Sequence, residues 1–169
     1  MEYLTVASQA LLTAVFGWAA VTKLRAFASF RQSVQRLGLV PDRYAGVVAG
    51  GIVAVESGCA LVVPLSAGVG LIGCLGVLTL FCLGIVVLLV RGVSASCACF
   101  GATGAPLGRR HLVRNGLLAG IALGGLVADS DLGRHPGGVL DAVFAGLIGA
   151  ALLVAFDDLV ELLTPSTAR

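Results

Sequence analysis

Apolar residues along this chain fall into five long blocks, running approximately from Tyr3 to Thr22, Tyr44 to Val63, Gly68 to Val90, Leu112 to Ala128 and Val139 to Phe156. A helix rising 1.5 Å per residue needs about 20 residues, and accepts roughly 17 to 25, to cross the hydrocarbon of a bilayer. The first three blocks meet that requirement outright. The fourth opens with His111, Arg114 and Asn115, so it crosses if Arg114 snorkels to the interface. The fifth carries Asp141 in its first turn, where an acid suits the helix dipole. The expected fold is therefore an all-α membrane protein, a bundle of four to five transmembrane helices. A soluble globule is excluded by 58% hydrophobic and only 12% charged residues, with a mean hydropathy of +1.03, because a chain of this size has too little interior to hide so much apolar surface.

Between the first two blocks, Leu24, Phe27, Phe30, Val34 and Leu37 recur at intervals of three and four, while Lys23, Arg25, Arg31 and Arg36 take the other positions. That pattern predicts an interfacial amphipathic helix in contact with membrane lipid, stopped by Gly38 and Pro41. Basic residues also set the expected orientation. Nine of the 11 Lys and Arg residues lie in the first connection or around the third, which the positive-inside rule assigns to the cytoplasm. The amino terminus then lies outside. It lacks the basic segment of a cleavable leader and reads as a retained signal anchor. A net charge of +2 without a basic, aromatic-rich face gives no reason to expect nucleic acid as a partner.

Small residues recur at four-residue spacing in Gly46 with Gly50, Gly116 with Gly120 and Gly124, and Gly146 with Ala150. In lipid, helices associate through close packing and interhelical hydrogen bonds, so these stripes are candidate contact faces. Glu56 interrupts an otherwise apolar second span. An acid there costs about 2.5–3.5 kcal/mol on insertion scales and is expected to face another helix, either neutral or paired. Its role is proton handling or ligand contact on one reading and an interhelical hydrogen bond on the other.

The five cysteines are an odd count, which argues against a disulfide-stapled framework. Cys97 and Cys99 are separated by Ala98 alone, in a run of small residues after the third span. Two extended residues hold alpha carbons roughly 6.6–7.2 Å apart, whereas bridged cysteines usually lie about 4.4–6.8 Å apart, so a disulfide requires a bend and is easily reduced. Arg91, Arg109 and Arg110 nearby favour the thiolate that attacks. Three readings stay open for the pair: thiol-disulfide exchange, binding of a soft ion such as copper(I), and unreactive loop cysteines. A zinc site lacks ligands, because only His111 stands on the same expected side, and no metal is assigned. Cys59 and Cys74 flank the second connection at similar depth. They form either a second thiol pair or two small buried hydrophobes.

Cys97-Ala98-Cys99-Phe100-Gly101 followed by Arg114-Asn115-Gly116-Leu117-Leu118 resembles the methylamine-utilisation MauE family, which carries Cys-x-Cys-Phe-Gly before an Arg-Asn-containing hydrophobic helix. Val55-Glu56-Ser57-Gly58, and the Lys23 to Pro41 connection with its Leu37-Gly38-Leu39, are similar to the same family and to its DoxX-like relatives. The resemblance implies one transmembrane domain over residues 1–169. It also implies a role in maturing an exported, disulfide-containing client through thiol redox chemistry or electron relay alongside a thioredoxin-like protein. Cys97 and Cys99 would react, with Glu56, Arg91 and Arg114 in support. No cofactor is required by this reading, and a quinone acceptor has no identifiable binding motif. The competing function is a non-catalytic assembly or transport subunit, with a copper(I) carrier as a third class. One tension follows: the charge rule puts Cys97 and Cys99 in the cytoplasm, whereas chemistry on an exported client calls for the opposite face.

Overall fold

The computed structural model describes residues 2–91, 109–129 and 138–163. Among these residues there are six α-helices and no strand: α1 (Glu2–Arg25), α2 (Phe27–Arg36), α3 (Ala45–Leu65), α4 (Ala67–Val90), α5 (Arg109–Asp129) and α6 (Val139–Leu163), with a short 3-10 turn at Asp42–Tyr44 before α3. Helix is the only economical choice for such segments, because hydrocarbon offers nothing to an unpaired peptide group. Four of the helices, α1, α3, α4 and α5, are long and apolar enough to cross a membrane. In α6 the apolar stretch Val139–Ala155 is shorter. The expected all-α membrane bundle is what the chain forms.

The five long helices alternate in direction and share one core. Leu12, Val15 and Phe16 of α1 meet Val63 of α3, Leu71 and Leu78 of α4, Leu118 and Ala122 of α5, and Ala150 of α6. The outward faces are equally apolar: Val47, Leu61, Ile72, Leu80, Val90 and Leu140 are all largely exposed, as suits side chains that meet lipid. α1 sits centrally and packs on α3, α5 and α6, most extensively on α6. Polar side chains tie these contacts: Thr5 Oγ1 donates to the Gly125 carbonyl at 3.1 Å, and Gln9 Nε2 donates to the Val63 carbonyl at 2.8 Å. The second bond satisfies a carbonyl in the last turn of α3, where helical N–H donors run out.

A single residue, Ser66, separates α3 from α4. Its extended backbone, at φ −149° and ψ 105°, reverses the chain. Gly70 makes the turn tight, since a Cβ there would collide with the Val63 backbone. Gly146 does the same for α1 and α6: a Cβ there would collide with the Ala7 carbonyl and lie 2.9 Å from the Ala10 Cβ. On α5 the close-contact glycine is Gly125, whose added Cβ would lie 2.9 Å from the Ser8 Cβ, whereas one at Gly116, Gly120 or Gly124 would meet nothing within 4 Å. The four-residue stripe expected on α5 thus faces away from its neighbours, and an adjacent register makes the contact.

The amphipathic segment after the first span is helical, as expected, but its inward face is shifted. Phe30 and Val34 pack against Ala45, Ala49 and Val53 of α3, and Arg31 and Arg36 are exposed. Leu24, expected on the apolar stripe, is 57% exposed, and Lys23, expected among the outward basic residues, is 2% exposed. Helix α2 nearly continues α1, because Ala26 N–H bonds the Thr22 carbonyl at 3.2 Å and Phe30 N–H bonds the Ala26 carbonyl at 2.9 Å. Lys23 is therefore carried down the side of α3.

Candidate functional site

Glu56 stands 11 residues after the start of α3 and nine before its end, in the middle of the span. Its side chain turns inward and is 4% exposed. Lys23 Nζ donates to Glu56 Oε1 at 2.7 Å and to Oε2 at 2.8 Å, so the ammonium grips both carboxylate oxygens. The Phe30 ring of α2 closes over the same ammonium at 5.6 Å from its centroid, within the range of a cation-π contact. Charges this deep are tolerable only when paired and hydrogen-bonded. Of the two sequence expectations for Glu56, neutral or paired, the geometry gives the pair.

The pair opens on a cavity of about 190 Å³ between α1, α2, α3, α4 and α5. Its polar wall adds His111, Arg114 and Asn115 from the first turns of α5, and its apolar walls include Phe16, Phe30, Leu78, Phe81 and Leu88. Arg114 is 3% exposed. The condition set for this span, that Arg114 snorkels to the interface, is not the one the chain uses: the span forms with Arg114 turned inward onto the cavity wall. His111, one turn earlier on the same helix, also lines the cavity. Lys23 is the residue that sequence reasoning missed. The signal for it was the acid itself: a mid-span carboxylate requires a cation on a neighbouring helix, and Lys23 occupies the last turn of the preceding span.

Cys59 and Cys74 are brought together across the α3–α4 contact. Their side chains are neighbours there, both are free cysteines, and both belong to the bundle core. Cys59 lies one turn beyond Glu56, and Cys74 one turn before the cavity residue Leu78. Cys82 is half-buried and also a free thiol. Arg91 is exposed just past the end of α4 and does not line the cavity that holds Glu56 and Arg114. Cys97 and Cys99 lie outside the described residues. Among the described residues no group of three or more His, Cys, Asp and Glu is gathered for a metal ion.

Inward-facing paired charges, lipid-facing apolar surfaces and four bilayer-length helices define a small multi-pass integral membrane protein. More particularly, the chain belongs to the MauE family: the family model described as methylamine utilisation protein MauE matches residues 1–128. The match runs from α1 through α5, and α6 follows it. No curated protein and no solved structure matches the chain.

Proposed function

We propose that this protein is a membrane thiol-disulfide redox component in which Cys97 and Cys99 exchange disulfides with a thioredoxin-like protein, in support of maturing an exported, disulfide-containing client. The observation that carries the reading is the Cys97-Ala98-Cys99-Phe100-Gly101 sequence within a chain whose first 128 residues match the MauE family. Its chemistry is self-contained. A partner thiolate attacks one sulfur of the Cys97–Cys99 disulfide and releases the other as a thiolate. The second partner thiol then resolves the mixed disulfide, leaving an oxidised partner and a reduced Cys97/Cys99 pair, with two electrons and two protons transferred. Reduction of a partner disulfide by the pair is the same step in the opposite sense.

Basic residues at Arg91, Arg109 and Arg110 border the loop, supporting both thiolate formation and a cytoplasmic position with the amino terminus outside. The buried Cys59–Cys74 contact makes a second thiol pair reasonable, but as a separate site. Cys74 precedes Arg91 by 17 residues on α4, roughly 26 Å of helix, so direct exchange between the pairs would require the loop to reach back across most of the span.

Trapping tests the reading. With either Cys97 or Cys99 changed to Ser, the remaining thiol should hold a partner as a mixed disulfide that is recovered from acid-quenched cells and released by reductant. A Cys97→Ser, Cys99→Ser protein that traps nothing and still supports maturation of the client would establish the non-catalytic assembly role instead.

A further inference from the structure

The chemistry of the cavity beside Lys23 and Glu56 does not depend on the thiol reading. Its polar wall sets the Glu56 carboxylate, held by Lys23, among N–H donors: the Lys23 ammonium, the Arg114 guanidinium, the Asn115 amide and the His111 imidazole. A guanidinium has five donors and an ammonium three, so each serves more than one acceptor at once. The matching ligand presents oxygen acceptors. Opposite them are Phe16, Phe81 and Leu88, which favour an apolar body. Size narrows the choice further. About 190 Å³ compares with the roughly 150 Å³ of an apolar cavity that holds benzene, and falls below the roughly 300–1,000 Å³ of pockets that enclose a whole drug-sized ligand. One ring or a short acyl head fits, and a longer tail has to leave between helices into lipid.

We propose that this cavity binds the head of a membrane amphiphile whose oxygen acceptors, ring carbonyls or a carboxylate, meet the Lys23, Arg114 and Asn115 donors, with its apolar tail in the bilayer. Gly84 provides the test. It lines the cavity, and a Cβ added there meets nothing within 4 Å, so Gly84→Leu fills the space without a backbone clash and with better helix propensity. Gly73, on the same helix and exposed, is equally open to a Cβ and does not line the cavity, so Gly73→Leu controls for added bulk in α4.

The full-length protein in detergent is titrated by equilibrium dialysis with two probes, a 1,4-benzoquinone bearing one short isoprenoid tail and decanoate. One probe should saturate at one molecule per chain, and its affinity should fall at least about tenfold in Gly84→Leu and in Asn115→Leu while Gly73→Leu binds as the parent does. Saturation by the quinone identifies a carbonyl head, and saturation by decanoate a carboxylate head. If neither probe saturates, or if Gly84→Leu binds as tightly as Gly73→Leu, the proposal is overturned. Neither outcome bears on the trapping of Cys97 or Cys99.

Discussion

Lys23 and Glu56 hold each other at 2.7 Å with side chains only 3% and 4% exposed, so each is tolerable mainly because of the other. Removing one partner of a buried pair typically costs about 3–5 kcal/mol, whereas replacing both with apolar groups is often neutral. Glu56→Ala should therefore lower the thermal midpoint in detergent sharply, and a Lys23→Met, Glu56→Leu double variant should regain most of it. A double variant no more stable than Glu56→Ala would mean that the ions contribute more than their mutual compensation. The Cys59–Cys74 contact makes its own prediction. In a protein lacking Cys82, Cys97 and Cys99, a membrane-permeant oxidant should join Cys59 to Cys74, detected by mass spectrometry as the loss of two hydrogens and of both alkylation sites. Two thiols that still alkylate after oxidation would contradict a second redox pair.

At the scale of the helix, the spans were legible because length and hydropathy alone decide them. The block expected from Tyr44 to Val63 became Ala45–Leu65, and that from Gly68 to Val90 became Ala67–Val90. Which side of each helix faces inward was far less legible. Apolar periodicity marks the buried face when the opposite face meets water, but here Leu24 and Leu80 are exposed while Lys23 and Glu56 are buried, so the usual signal inverts. The same ambiguity displaced the small-residue stripe on α5 from Gly116, Gly120 and Gly124 to Gly125. Gly146→Val should separate α1 from α6 and lower stability, because its side chain would enter the Ala7 backbone, whereas Gly116→Ala should change the midpoint little. Thermal unfolding of the two variants side by side checks the assignment, and equal losses would refute it.

For the whole molecule, the alternating spans place the end of α2, the end of α4 and the start of α5 at the same end of the bundle, and that end carries most of the chain's basic residues. The Lys23–Glu56 cavity faces toward this end, since His111 and Leu88 from the adjoining ends of α5 and α4 line it. Sequence supplied the candidate cysteines through a local motif, but it could not supply the cavity, whose walls come from five helices distant in the chain. The central claim, that Cys97 and Cys99 are a cytoplasm-facing exchange pair, is tested most directly by side-resolved alkylation with and without reductant. In a protein lacking Cys59, Cys74 and Cys82, an impermeant maleimide should leave intact cells unlabelled, and should add two labels in inverted vesicles only after reduction of the disulfide form. Labelling from outside, or two freely reactive thiols in inverted vesicles whether or not an oxidised thioredoxin-like protein has first been supplied, would contradict it.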